Sequence, residues 1–375
     1  MIKCGKDHLY WDEFAISIDV ALSLGQYDGF HEGGTYSQSF PKRLLSFRME
    51  RECGRHLTLL MVLEHIRSYE CGDDRDKVFA ALGMAADVEV DDITPDYRKS
   101  VEDTYIDVVK FIVSASEVQR LSFLGYIVRP APDFEITPKN KHLPTWVPDW
   151  RIQIACHAIN QAQDSDDPKC GSVFGASKHT KPEIEIAGGK LIIRGLSIDI
   201  TKSVSSVCNS NLSEAGLTLE KTWRDSLSPG EYKTGESVAE AFDCTIVTDL
   251  LRERGPYANF YSRGYKVDWA LIESDPLSLD SDNIISRNLL QAAIKRTTFG
   301  RRMFWTARGY LGIGPASMAV GDAICVLFGG HVLYVLRSVD TGIYECIGEC
   351  YVHGLMDGEV FEDEEVGEEG VFTIV

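Results

Sequence analysis

Three carboxylates and two cations stand side by side at Asp73-Asp74-Arg75-Asp76-Lys77. Two kinds of chemistry use such a cluster. A hard cation takes several oxygens converging from a loop. A helix start takes carboxylates as caps for its unpaired N–H groups and as partners of nearby cations. The residues that follow, Val78-Phe79-Ala80-Ala81-Leu82-Gly83, favour the second. Val78, Ala81 and Leu82 make one apolar helical face, and Gly83 suits the left-handed residue after a helix. The spacing predicts loop, helix start, short helix and stop, with Asp73 or Asp74 as the cap. Arg75 is then a half-buried or buried ion-pair hub, or a bidentate grip for an anionic ligand that the sequence does not identify.

Other constellations carry less chemistry. In Leu143-Pro144-Thr145-Trp146-Val147-Pro148-Asp149-Trp150-Arg151, two tryptophans flank a proline-fixed extended stretch. They form a ligand shelf or pin the loop to the core, and aromatic burial favours the pin. Asp149 is expected to accept backbone N–H bonds in the turn. Cys346, Cys350 and His353 have loose zinc-like spacing without a fourth ligand. Cys53 and His56 lack an orienting third group. Gly309, Gly312 and Gly314 read as turn formers, not as a dinucleotide fingerprint. No Gly-x-Ser-x-Gly, Walker or His-Glu-x-x-His motif occurs. No metal and no cofactor are expected.

Composition sets the class. The chain has 375 residues, 44% hydrophobic and 25% charged, as in globular proteins with a substantial core. A formal net charge of −19 argues against nucleic acid or anionic membrane as partner. Lys295-Arg296 and Arg301-Arg302 are the nearest to a basic patch and read as isolated surface charges. No run of about 18 apolar residues suggests a membrane span, and the N-terminus lacks the apolar core of a signal peptide. The ten cysteines form no Cys-x-x-Cys pair and read as reduced and mostly buried. A cytoplasmic location is expected.

Periodicity positions these residues. Helices are predicted over 10–25, from about 57 to 69, and from a Ser100 cap along Val101, Tyr105, Val108, Val109 and Ile112. Residues 26–42 read as loop, and 121–128 as either strand or helix. The prolines between 129 and 144 forbid a regular helix. Residues 184–204 alternate as strands around a Gly188-Gly189 hairpin. Residues 214–299 read as mainly helical. Strands are predicted at 323–328, 332–337 and 344–352, as a small barrel or meander, and 359–369 as a solvated acidic tail.

The Arg75-Asp76-Lys77-Val78-Phe79-Ala80-Ala81-Leu82-Gly83 core, Pro95-Asp96-Tyr97 and the Trp146–Trp150 segment, in that order, resemble fungal heterokaryon incompatibility (HET) domain proteins. Gly309–Pro315, Gly321-Asp322 and Tyr351-Val352-His353-Gly354-Leu355-Met356-Asp357-Gly358-Glu359 are similar to the C-terminal region of that family. The resemblance singles out Asp74, Arg75, Asp76, Tyr97, Trp146, Pro148, Asp149, Trp150, Gly354, Asp357, Gly358 and Glu359. The family's Leu-Ser-Tyr-x-Trp-Gly and Trp-x-Asp-x-x-Cys-Ile-Asn-Gln segments are not found, so the chain resembles a HET protein without the N-terminal half of its HET domain. The resemblance implies an α+β chain. A helical part at 1–155 would be the remnant of a TIR-like α/β domain. A linker or loop at 156–182, a hairpin plus helices at 183–305, and a β-rich module with acidic tail at 306–375 would follow. It also implies a non-catalytic interaction protein of self/non-self recognition and programmed cell death, with an unidentified protein partner or a second copy of itself. The alternative is a HET-like scaffold recruited as an enzyme on a small molecule, for example in secondary metabolism. Nucleotide-cleaving chemistry would need the missing half, so the resemblance assigns no catalytic residue here.

Overall fold

The computed structural model describes residues 2–4, 7–10, 13, 16–17, 57–89, 91–115, 120–132, 143–152, 156–162, 173–209, 217–252, 261–262, 267–362 and 367–375. The chain is α+β, with a β-rich C-terminal part. The helix expected over 10–25, the loop over 26–42 and the Cys53/His56 pair fall wholly or mostly outside the described residues.

After a short hairpin of β1 (Ile2–Cys4) and β2 (Asp7–Leu9), three helices over the described residues 57–115 make the N-terminal layer. In α1 (Leu59–Ile66), Thr58 Oγ1 accepts the Met61 N–H at 3.3 Å and fixes the start. Leu59, Val62 and Leu63 are buried beneath it. Helix α2 (Asp76–Leu82) corrects two expectations. Its N-cap is Arg75 with no side-chain cap bond, because Asp73 is engaged two residues earlier by the Arg75 N–H. Gly83 has φ −73°, right-handed and not left-handed. Helix α3 (Val101–Ala115) starts at Ser100, whose Oγ accepts the Asp103 N–H at 3.0 Å, and buries Tyr105, Val108, Val109 and Ile112. The ambiguous 121–128 run is a 3-10 turn, Ser122–Tyr126.

Strand β3 (Ile184–Ala187) and the fifteen-residue β4 (Lys190–Val204) meet through Gly188 and Gly189, at φ +58° and +74°. Both angles are left-handed, as the tight hairpin turn demands. Four helices follow: α4 (Thr218–Asp225), α5 (Val238–Ile246), α6 (Trp269–Glu273) and α7 (Ser281–Thr298), with the small pair β5 (Leu251–Arg252) and β6 (Tyr261–Ser262) between α5 and α6. A Ser237–Glu240 capping box starts α5.

The remaining strands are β7 (Arg301–Thr306), β8 (Leu311–Pro315), β9 (Ala323–Leu327), β10 (Leu333–Asp340), β11 (Ile343–Val352) and β12 (Glu368–Ile374). Strand β4 pairs with β3 and β9 along one edge and with β12 and β7 along the other. Strand β9 pairs with β10, and β10 with β11. Strand β11 returns to β4 through β12 at one end and through β8 and β7 at the other. The eight-stranded sheet therefore closes on itself as a small barrel, which removes the open edges of β4 and β11.

Two segments differ from the sequence reading. Gly312 and Gly314 lie in β8, not in a turn. A Cβ on Gly312 would come within 2.5 Å of Phe304 Cζ, and one on Gly314 within 2.6 Å of Met318 Sδ and 3.3 Å of the Phe304 ring. The acidic tail is not simply solvated. Val360 is buried, and Glu368 and Glu369 open β12, whose Phe372 and Ile374 face the core. One contiguous apolar core runs from α1–α3 through Trp146 and Trp150 to the barrel. No helix among the described residues is long and apolar enough to cross a membrane.

Candidate functional site

The helical layer is held by a local device that occurs three times among the described residues. At Asp73–Arg75, the Asp73 Oδ1 accepts the Arg75 N–H at 3.0 Å and Nε–H at 2.9 Å, while Oδ2 accepts Nη2 at 2.6 Å. The Asp149–Arg151 and Asp96–Arg98 pairs repeat this geometry. The guanidinium beside it holds the Asp73 carboxyl at about 2, well below the carboxylate range. Arg75 Nη1 donates to the Tyr97 and Lys99 carbonyls at 2.5 and 2.7 Å, and its guanidinium lies 5.3 Å from the Tyr97 ring. The Tyr97 hydroxyl donates to Asp76 at 2.6 Å, and the Tyr105 hydroxyl to the Asp74 carbonyl. The motif residues Arg75, Asp76 and Tyr97 thus fold the 94–99 loop onto the start of α2, and the Asp74 carbonyl ties the same turn to Tyr105 of α3.

Asp149 accepts the Arg151 N–H, as the turn reading has it, and also the Arg151 guanidinium. Trp146 and Trp150 are buried, with Pro148 between them, and Trp146 Nε1 donates to the Gly189 carbonyl at the barrel hairpin. Their neighbour is Arg67, which the sequence reading did not single out. This arginine is 1% exposed and donates to the carbonyls of Tyr126, Asp149 and Ile152 at 2.8–2.9 Å. Lys77 donates to the Arg67 carbonyl at 2.8 Å and to that of Tyr69. An arginine at the C-cap of α1, directly after the buried Ile66, is the sequence signal that marks it.

The C-terminal motif is built around two left-handed glycines. Gly354 has φ +81° and faces Thr234, and Gly358 has φ +83° and lies against Lys178. A Glu359 carboxylate oxygen accepts the Asp357 N–H at 2.7 Å. Next to them His353 Nε2 lies 2.7 Å from Glu236 and Nδ1 3.0 Å from the Tyr351 hydroxyl. Cys346 and Cys350 are buried in β11. Among the described residues no group of three or more His, Cys, Asp or Glu is placed to hold a metal.

The arrangement with most chemical potential lies between the helical layer and the barrel. A small cleft, with an enclosed volume of about 20 Å³, is lined by Gly125, Val128, Cys156, Arg301, Pro315 and Glu349 among others. Glu349 projects from β11 and is 4% exposed. Burial pushes its carboxyl up to about 7, against the opposing pull of Arg301 and of the Ile159 and Asn160 N–H groups. Arg301 Nη2 stands 3.5 Å from Glu349, and Nη1 donates to the Thr297 carbonyl at 3.0 Å. A Cβ on Gly125 would come within 2.8 Å of Glu349 Oε2 and 3.1 Å of Ala158 Cβ, so the glycine leaves room for the carboxyl. Cys156 donates to the Gly300 carbonyl at 3.6 Å, and burial raises its thiol. A carboxyl near 7 beside a guanidinium can take up or release a proton at neutral pH. Glu349 interrupts the apolar run of β11, and that is its sequence signal.

Arg301 and Lys295 also correct the reading of isolated surface cations. Both are buried, and Lys295 donates to Glu220, itself fully buried, at 2.9 Å. Thr298 and Cys208 bond the same carboxylate oxygen at 2.8 and 3.3 Å.

Residues 274–372 match the family model described as the Het-6 β-barrel domain. The observed closure also uses β4, from outside that range. The chain is 24% identical over 353 residues to heterokaryon incompatibility protein 6, OR allele, of Neurospora crassa, an alignment covering 78% of this chain and 49% of that protein. It thus spans about half the length of this curated relative. No solved structure matches it. The barrel match and this relative make the chain similar to fungal heterokaryon incompatibility proteins.

Proposed function

We propose that this chain acts in fungal self/non-self recognition and the cell death that follows it, as a cytoplasmic protein that works through protein contacts without catalysis of its own. The observation that carries this reading is how the family-motif groups are engaged. The guanidinium donors of Arg75 and Arg151 and the indole N–H of Trp146 bond atoms of this same chain. Residues engaged in this way shape a surface for a partner. The net charge of −19 supports a protein partner over nucleic acid. The helices around α1–α3 are read as kin to the TIR-like module of the family. In the test, purified protein incubated with NAD is expected to release no nicotinamide above the buffer control. Expression in a filamentous host is expected to arrest growth equally for the parent and for Glu349→Gln.

A second reading, a HET-like scaffold acting on a small molecule, is favoured by one observation, the Glu349 carboxyl raised to about 7 in a cleft it shares with Cys156 and Arg301. Turnover or growth arrest abolished by Glu349→Gln, in protein with unchanged thermal unfolding, would replace the first reading with this one.

A further inference from the structure

A buried polar cluster lies where α4, α7 and the chain after β4 meet. Glu220 of α4 is fully buried, and three groups converge on its Oε1. Lys295 Nζ of α7 donates at 2.9 Å, the Thr298 hydroxyl at 2.8 Å and the Cys208 thiol at 3.3 Å. Lys295 Nζ also donates to Cys208 Sγ at 3.9 Å. The other carboxylate oxygen, Glu220 Oε2, is buried and makes no hydrogen bond among the described residues. Cys208 is 0% and Lys295 4% exposed. The backbone fixes the sulfur and the nitrogen. The Cys208 N–H donates to the Arg301 carbonyl at 2.8 Å and its carbonyl accepts the Gly300 N–H at 2.7 Å. Lys295 stands in the last turn of α7. A buried ion pair needs no thiol. A carboxylate, an amine and a thiol in mutual contact have a chemistry of their own.

We propose that Cys208 and Lys295 form a redox switch, in which hydrogen peroxide joins Sγ to Nζ through one bridging oxygen. Burial and the adjacent Glu220 carboxylate push the thiol up, so the resting pair is a thiol and an ammonium. The reaction starts when Glu220 takes a proton from Lys295, which leaves a neutral amine and a neutral acid. The Cys208 sulfur gives an electron pair to one peroxide. An S–O bond forms, the O–O bond breaks, and sulfenic acid and water result. The Lys295 nitrogen gives a pair to a second peroxide, leaving N–OH and water. The N–OH and S–OH groups condense, a third water leaves, and the N–O–S link remains. Sulfur and nitrogen each lose two electrons, and the two peroxides take up all four. The nitrogen beside the sulfur captures the sulfenic acid before it climbs to sulfinic acid. The linked state holds no buried ion, because Lys295 has lost its charge and Glu220 keeps the proton. The link ties residues 87 apart in sequence and fastens the chain after β4 to the end of α7. A thiol reverses it by attack on the sulfur. This inference is independent of the reading of the Glu349 cleft.

Peptide mapping by mass spectrometry tests it on the full chain, before and after treatment with hydrogen peroxide. The expected product joins the Cys208 and Lys295 peptides, and its mass is their sum plus one oxygen less two hydrogens. Peroxide carrying heavy oxygen should leave its label in the link, and dithiothreitol should return both free peptides. Cys208→Ser is expected to abolish the linked species. Lys295→Arg, which keeps a cation beside Glu220, is expected to abolish it as well. The unfolding temperature of each variant under reducing conditions serves as the folding control. Should either variant not fold, fragmentation of the linked species from the parent assigns the two joined residues. No linked species in the oxidised parent, a link without the oxygen, a link to other residues, or a link that survives in a folded variant would overturn the proposal.

Discussion

The Asp149–Arg151 and Asp96–Arg98 clamps have the same local geometry, with a carboxylate oxygen 2.9–3.0 Å from the backbone N–H two residues on and the guanidinium folded over it at 2.7–3.0 Å. Their surroundings differ. The Arg151 side chain is 1% exposed, lies 5.7 Å from the Tyr105 ring and has Glu102 at 3.8 Å. The Arg98 side chain is 90% exposed. The Asp73–Arg75 clamp is intermediate, with Arg75 at 21%. An Asp-x-Arg tripeptide therefore specifies the shape of its own turn, while the surroundings decide what that turn contributes. In water the pair is screened and contributes little. In the core, a lost partner leaves a charge without compensation.

The comparison can be broken by substitution. Arg67 is the extreme case of burial and is expected to show the largest effect. Arg67→Ala leaves the buried Tyr126 and Ile152 carbonyls without their donor at about 1–3 kcal/mol each, while the Asp149 carbonyl keeps only the Ile152 N–H, so the loss in urea unfolding free energy should be on the order of 4 kcal/mol. Arg151→Ala should follow at about 3 kcal/mol, because it strands the Asp149 carboxylate in the core.

Glu349 extends the test to a buried charge whose partner is distant in sequence. Its folded carboxyl is raised to about 7, above the ordinary value of about 4.5. The stability it contributes is present below about 4.5 and is lost as pH rises through about 7. Glu349→Gln cannot ionise, so its stability relative to the parent should climb between those values by an amount on the order of 3 kcal/mol. A pH-independent difference would show that Glu349 does not titrate there. Arg75→Ala should lower the unfolding temperature measurably but by less than Arg151→Ala, and the nicotinamide-release assay should read the same before and after. Arg98→Ala should leave the unfolding temperature unchanged. A loss there equal to that of Arg151→Ala would refute the account of burial.

What was legible in the sequence follows the same division between local and distant. The Gly188-Gly189 hairpin, the Ser100 start of α3 and the short strands β9, β10 and β11 with their tight turns are encoded within a few residues of themselves. Arg67 is not, because its acceptors lie 59, 82 and 85 residues away. The Gly312 and Gly314 positions look like turn signals until Phe304 and Met318 are seen to fill their side-chain space. Strand β12 is obscured at its start by Glu368 and Glu369, although Phe372 and Ile374 alternate inward behind them. At α2 the acids were assigned to the helix, whereas Asp73 serves the turn before it.

Strand β12 also bears on how the molecule is made. It pairs with β4 along seven positions, from Glu368 with Ser197 to Ile374 with Leu191, and with the start of β11. Just beyond it the Val375 carbonyl receives the Thr145 N–H at 2.9 Å and the Thr145 hydroxyl, in the loop that carries Trp146. A nascent chain can therefore assemble α1–α3 early, but it leaves one edge of β4 unpaired while about 170 further residues are synthesised. Closure waits for the ribosome to release β12. A stop codon or frameshift just before residue 368 would remove β12. It would leave the barrel open, with the Trp146 loop deprived of its anchor, and such alleles should behave as complete losses of the protein.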